Sequence, residues 1–274
     1  MDISMIIKNI GRLINFKMKS NNIKVEICAG SAESCVTARR AGAHRVELCS
    51  ALSLGGITPS FGAISLAKKE SDIDINVLIR PRQGDFLYSR REIEVMMRDI
   101  EMCGQLGVSG VVFGALDKYG NVDTEFCKPL AHLARSLSLS FTFHRAIDVS
   151  KDIFEALEAI ISLGADRILT SGGAQTAAEA IPVLKKMNQQ AAGRVIIMPG
   201  SGVNATNIAA IIEQTGVSEI HLSASENIPS ASLHRPPLSF TPEVLGGDYL
   251  HKESSLEKVK EAILIVNGER ELSK

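Results

Sequence analysis

The side chains able to do chemistry stand two residues apart inside short apolar runs, mostly near the end of a run. Glu26-x-Cys28 and Glu47-x-Cys49 are one motif met twice. Asn76-x-Leu78-x-Arg80 and Thr142-x-His144 continue the pattern, with Asp148 just beyond the histidine. Side chains alternate across a strand, so residues two apart share a face. Acids, imidazole and guanidinium gathered on one face suit proton transfer and anion binding. Glu47 or His144 is then a candidate general base, and Arg80 an anchor for carboxylate or phosphate. The same groups could instead form a self-neutralising ion network, because charge is rarely buried unpaired. The thiols open a second chemistry. Cu(I) favours thiolate and thioether ligands and accepts imidazole. Neighbouring strands run roughly 4.8 Å apart, so Cys28 and Cys49 could approach one ion, with Met198 or a histidine beside them. The competing account is that both are small core residues, as free cysteine commonly is. Cys35, Cys103 and Cys127 fall on helical stretches and read as structural.

The elements that must position these groups follow a strict order. Candidate strands start near Lys24, Arg45, Ile75, Ser109, Leu139, Asp166, Arg194 and Ser218, each 21 to 34 residues from the next. That spacing is one strand–helix unit. The intervening helices carry start signals: a capping box at Ser89 and Glu92, and N-caps at Ser31, Asp123, Ser150 and Asn204. Pro129 and Pro182 mark helices that start late or kink. An internal repeat ties the even strands together. Gly42-Ala-His-Arg-Val, Gly107-Val-Ser-Gly-Val, Gly164-Ala-Asp-Arg-Ile and Gly216-Val-Ser-Glu-Ile each close a helix and open a strand. Alternating β and α with no hairpin signal predicts a parallel sheet, and eight units predict a single-domain (β/α)8 TIM barrel; a doubly wound open sheet is the alternative.

Strand parity then assigns the faces. Glu26, Cys28, Glu47, Cys49, Asn76, Leu78, Arg80, Val112, Gly114, Thr142, His144, Leu169, Ser171, Met198, His221 and Ser223 are expected to turn toward the barrel axis. The greasy alternate set, such as Val25, Ile27, Val46, Leu48, Val77, Phe113, Phe141 and Phe143, is expected to pack against helices. Catalytic groups of such barrels lie at the C-terminal ends of the strands, which nominates Glu26, Glu47, Arg80, His144 and Asp148 as the catalytic set. The loops after strands six to eight, with Ser171, Gly172, Gly200, Gly202 and Ser223, are candidates for phosphate, although tight turns explain their glycines equally well. Arg82 and Asp85 either line the rim or pair with each other. No lysine stands on the inner face near a strand end, which argues against a Schiff-base aldolase.

Bulk properties narrow the partners. Of 274 residues 45% are hydrophobic, and 30 basic residues nearly cancel 31 acidic ones, leaving no footprint for nucleic acid. No run reaches about 18 apolar residues, so no membrane span is expected. The five cysteines show no paired CxxC spacing and read as reduced thiols in the cytoplasm. Residues 1–20 form an N-terminal extension, with Ile3, Ile6, Ile7, Ile10, Leu13 and Ile14 at helical spacing, and 21–274 form the barrel domain. Residues 227–250 lack periodicity and read as a lid, followed by an amphipathic helix over 252–266.

Several motifs also resemble the CutC copper-homeostasis family. They are Ile-Arg-Pro-Arg-Gln-Gly-Asp-Phe-Leu-Tyr-Ser over 79–89, Val-Phe-Gly-Ala-Leu over 112–116, Thr-Phe-His-Arg-Ala-Ile-Asp over 142–148 and Leu-Thr-Ser-Gly-Gly over 169–173. Glu47-Leu-Cys49, Gly55-Gly-Ile-Thr-Pro-Ser60 and Met198-Pro-Gly are similar too. The likeness runs from Lys24 to about Ser225 and implies a cytoplasmic TIM barrel, often a homo-oligomer, associated with copper. Cys28 and Cys49 fall on the two cysteines that the resemblance implies as copper ligands. His44 departs from the family's usual acid, and Gly200-Ser-Gly from its run of three glycines. Two function classes stand: a copper-binding homeostasis protein, or an enzyme of isomerase, epimerase or lyase type acting on a small anionic or phosphorylated metabolite at the C-terminal mouth of the barrel.

Overall fold

The computed structural model describes residues 23–241 and 247–268; the helix expected over residues 1–17 lies outside them. Eight parallel strands are spaced along the chain: β1 Lys24–Ala29, β2 Arg45–Leu48, β3 Asp74–Leu78, β4 Gly110–Phe113, β5 Ser140–Phe143, β6 Arg167–Thr170, β7 Ile196–Pro199 and β8 Glu219–Leu222. Each begins within two residues of its expected start. Hydrogen-bonded neighbours follow chain order from β7 back to β1, and β1 then pairs with β8. This ring excludes the doubly wound alternative, whose order reverses partway. Among the described residues β7 and β8 meet without a ladder, so the barrel is nearly rather than fully closed.

Eight α-helices alternate with the strands: α1 Ala32–Arg40, α2 Phe61–Ser71, α3 Arg90–Leu106, α4 Thr124–Ser136, α5 Ile153–Ser162, α6 Ile181–Ala191, α7 Ile208–Thr215 and α8 Leu256–Val266. The capping box forms: Glu92 N–H donates to Ser89 Oγ, and Ser89 N–H to the Glu92 carboxylate at 2.7 Å. Ser31 and Asp123 cap α1 and α4. Ser150 does not cap α5; Asp152 does, with its carboxylate accepting from Phe154 and Glu155. Asn204 likewise stands outside α7, accepting from Thr206 N–H in a local turn before Asn207 begins the helix. Pro182 falls in the first turn of α6, which therefore starts late, whereas Pro129 lies inside α4.

The core sits between strands and helices. Val25, Ile27, Val46, Leu48, Val77, Val111, Phe113, Phe143 and Ile168 are fully buried there, with the Phe113 and Phe141 rings stacked at 4.0 Å. These are the greasy alternate positions of each strand, so the opposite parity is forced inward.

One expectation fails after β8. The segment is not a featureless loop running into a helix at Lys252. Ser225–Pro229 (β9) pairs antiparallel with Leu250–Ser254 (β10), and α8 starts only at Leu256. Main-chain pairing there needs little apolar patterning, which is why alternation did not reveal it. The ribbon is tied back to α1, because Ser34 Oγ donates to Glu253 at 2.6 Å and accepts from Ser254 N–H at 2.8 Å.

Candidate functional site

The lowest inward layer is ionic. Arg45, Arg167 and Glu219 occupy the same position of the repeat, three residues after the closing glycine, with Gly110 as the fourth member. Arg45 donates to Glu26 and to Glu219, and Arg167 Nε donates to Glu219 at 2.8 Å. Glu26, Arg45 and Glu219 are all buried. Burial opposes the Arg45 charge, but Glu26 and Glu219 more than offset this and raise its pKa. The Met198 thioether accepts from Arg45 at 3.4 Å, so it belongs to this layer rather than to the thiols above. The repeat displays these three residues two positions before the inward Glu47, Leu169 and His221, so they share that parity.

Glu26 joins this layer to the next. One carboxylate oxygen meets Arg45, and the other lies 2.9 Å from His221 Nδ1. Burial works against ionisation of Glu26, yet the His221 hydrogen bond and Arg45 outweigh it and hold the carboxyl at about 2. An ionised Glu26 accepts from His221 Nδ1–H, which leaves Nε2 on the Glu47 side of the ring. There a sulfur of Cys28, an oxygen of Glu47 and a nitrogen of His221 lie within 4.8 Å of one another. Glu47 Oε2 is 3.7 Å from His221 Nε2.

The charges in this cluster are strongly displaced. The neighbouring Cys49 thiol is the main influence bringing Cys28 down to about 5, against burial and with help from His221. Cys49, buried beside Cys28 with its Sγ donating to Glu47 O at 3.8 Å, is held well above the ordinary thiol range. Burial pushes Glu47 up to about 8 despite the pull of His221. Burial opposes protonation of His221, but Cys28, Glu26 and Glu47 together raise its pKa well above the usual value.

The opposite wall comes from β3 and β5. Arg80 Nη1 donates to Gly56 O at 2.7 Å and Nη2 to Gly84 O at 2.6 Å, which pins the loops after β2 and β3. The Phe86 ring centroid is 5.1 Å from the Arg80 guanidinium and 4.8 Å from the centre of the His144 ring. Burial, then the Arg80 charge, push His144 down to about 3, so it is neutral at any ordinary pH.

These walls enclose a cavity of about 280 Å³ at the C-terminal ends of the strands. Cys28, Glu47, Cys49, Arg80, His144 and His221 line it, with Gly202 and Ser223 at its edge. The structure thus brings together nine of the inward residues expected from strand parity, Leu78, Leu169 and Ser223 among them. Glu26 lies beneath the cavity rather than on its wall. Asp148 is committed elsewhere, accepting from Thr170 Oγ1, from Ser171 and Gly173 N–H, and from Arg145. Ser171 Oγ donates to Ala174 O, and Gly172 packs against Ala180 and Leu184. Gly200 seats against Leu169 and His221, where an added Cβ would have no room. Arg82 pairs with Asp85 and with Glu92, the latter at 2.6 Å. Cys35, Cys103 and Cys127 are buried in α1, α3 and α4, and burial raises each thiol to about 12. Phe86 and Arg145 were not expected at the site; Phe86 sits on an irregular segment and Arg145 opens a short 3-10 helix after β5, where strand parity no longer applies.

A nearly closed (β/α)8 barrel whose mouth holds two thiols, a buried carboxyl and two histidines defines the class: a TIM barrel with a polar cavity at the usual end. The sequence matches the CutC family model over residues 23–226. The chain is 45% identical over 244 residues to a CutC family protein of Bacteroides fragilis, covering 88% of this chain and 96% of that one. It is 47% identical over 205 residues to the human copper homeostasis protein cutC homolog, covering 75% of this chain and 74% of that one. The crystal structure of CutC from Streptococcus agalactiae superposes with a TM-score of 0.69 at 34% identity, covering 73% of this chain and 98% of that one. The chain belongs to the CutC family, the copper homeostasis family.

Proposed function

We propose that the chain takes part in copper homeostasis by holding Cu(I) as cargo at Cys28, with His221 and Cys49 as the neighbouring donors. The observation that carries this reading is the convergence of the Cys28 sulfur, the His221 nitrogen and the Glu47 oxygen within 4.8 Å, with Cys49 on the wall of the same cavity. The donor set fits the ion. Thiolate and imidazole at low coordination number suit Cu(I), while a carboxylate is a poor ligand for it, so Glu47 flanks the ion rather than binding it. Glu26 supplies the outer partner that orients a ligating histidine through its other ring nitrogen. Reduced thiols throughout favour the cytoplasm as the working compartment. The exposed Leu233, Leu238 and Phe240 favour assembly into a homo-oligomer. The test is anaerobic Cu(I) titration against a competing chelator, for wild type and for Cys28→Ser/Cys49→Ser. A loss of at least a hundredfold in affinity is expected, and unchanged affinity in the double variant refutes the reading.

A second reading is favoured by one observation: a Glu47 carboxyl near 8 in a cavity can give and take protons close to neutral pH. On this reading the chain is an acid–base enzyme acting on a small anionic metabolite. Incubating candidate acids in deuterated buffer tests it, because Glu47→Gln should abolish any enzyme-dependent exchange into their carbon-bound positions. Absence of exchange with the wild type refutes it.

A further inference from the structure

We propose that Arg145 is the anion anchor of the cavity: the open Nη1–Nη2 edge of its guanidinium takes two oxygens of the carboxylate or phosphate carried by a small metabolite. This deepens the acid–base reading by naming the group that holds the substrate's charge. It rests on that reading only for the chemistry, not for the binding.

Two motifs that the thiol cluster leaves unused converge on this side chain. Residues 142–148 supply Arg145 and Asp148, and residues 169–173 supply Thr170, Ser171 and Gly173. Arg145 Nε donates to Asp148 at 2.8 Å and Nη2 to Ser171 Oγ at 3.1 Å. Both partners are themselves fixed. Asp148 accepts from Thr170 Oγ1 and from the N–H groups of Ser171 and Gly173 at 3.0 and 3.2 Å. Ser171 Oγ donates to Ala174 O at 2.6 Å. Nε and Nη2 share the side edge of the planar guanidinium, so the whole hold falls on that edge. The end edge carries both Nη1 hydrogens, and Nη1 has no acceptor among the described residues. That edge is the fork whose geometry matches paired carboxylate or phosphate oxygens.

A purely structural role accounts for Asp148 but not for Arg145. The Asp148 side chain is 5% exposed and keeps three donors without the arginine. The Arg145 side chain is 43% exposed, and an ion pair so open to solvent contributes little to stability. Two arginines line the cavity. Arg80 is buried, its Nη groups are spent on the carbonyls of Leu54, Gly56 and Gly84, and its charge lies beside the buried Tyr88 hydroxyl. Arg145 is the one left with an open edge. The lining carboxyl, Glu47, faces His221 and pairs with neither arginine among the described residues. A volume near 280 Å³, with Leu52, Leu78, Leu169 and Val203 on its wall, limits the metabolite to a few carbons.

The test titrates copper-free full-length protein by calorimetry with pyruvate, glycerol 3-phosphate and, as the uncharged control, glycerol. Saturable binding of at least one of the two anions is expected, and the tighter of them identifies the head group. Arg145→Gln should weaken that binding at least tenfold. Arg145→Lys, which keeps the charge but not the fork, should recover only part of it. Asp148→Asn should weaken binding severalfold from outside the cavity, and should add nothing in an Arg145→Gln background, because Asp148 is a positioning residue that acts through the guanidinium. Melting of Arg145→Gln should stay close to wild type, since Asp148 keeps its other donors; if that variant fails to fold, Arg145→Lys decides. The proposal is overturned if neither anion binds the wild type, if glycerol binds as tightly as they do, or if either Arg145 variant keeps wild-type affinity. An anion that binds through Arg145 without proton exchange in deuterated buffer retains the anchor and removes only the enzyme reading.

Discussion

Replacing Glu47 by glutamine is expected to stabilise the protein at neutral pH. The Glu47 side chain is buried at the cavity wall, and its carboxyl is raised from an ordinary value of 4.5 to about 8. The folded chain therefore retains a proton that the unfolded chain releases from pH 4.5 upward. Stability contributed by this group is complete below 4.5 and lost as pH rises through 8, the opposite of an ion-paired carboxylate. Each unit of difference is worth about 1.4 kcal/mol. At pH 7 the gap between 4.5 and 7 amounts to about 3 kcal/mol, a sizeable share of a folding free energy of roughly 5–15 kcal/mol. Glutamine copies the shape of the protonated acid and never ionises. Urea unfolding of wild type and Glu47→Gln at half-unit steps from pH 4.5 to 8.5 measures the difference. The curves should coincide near pH 4.5 and separate by about 3 kcal/mol at pH 7, with the variant the more stable. A difference that does not change with pH, or a variant less stable at pH 8, would show that Glu47 is not held protonated by burial.

Arg45→Met should cost about 3–5 kcal/mol, because Glu26 and Glu219 would remain buried without their shared cation. The urea midpoint reads this loss, and Glu219→Gln added to Arg45→Met should recover part of it. Gly114→Ala should destabilise by about 1–3 kcal/mol through overpacking. Its new Cβ would stand 2.7 Å from the Phe143 ring and 2.9 Å from His144 Nδ1.

Strand parity carried most of the site. The greasy positions of each strand had to face the helices, so Glu47, Arg80, His144 and His221 were forced to the axis together, and the cavity lining follows. Parity cannot show what a side chain does after it turns inward. Arg80 spends its terminal nitrogens on loop carbonyls, and His144 is a neutral donor rather than a base, because Ala146 N–H already points at its other nitrogen. Asp148 stands in the first turn of the 3-10 helix after β5, where main-chain geometry decides. There it accepts the amides of the loop after β6 instead of facing the cavity. The charged layer at Arg45, Arg167 and Glu219 was legible in the repeat but was passed over, since charges beside a helix-closing glycine also suit a solvated turn. The β9–β10 ribbon left no trace in apolar periodicity, because half of its residues are exposed.

The hydrogen bond between His221 and Glu26 spans 195 positions of sequence. A growing chain emerging from the ribosome therefore lacks half of its thiol–imidazole pocket until the eighth stave of the ring has been synthesised. Nascent fragments carry the cysteines but not the histidine that completes the cluster. Assembly of the pocket is thus coupled to completion of the polypeptide.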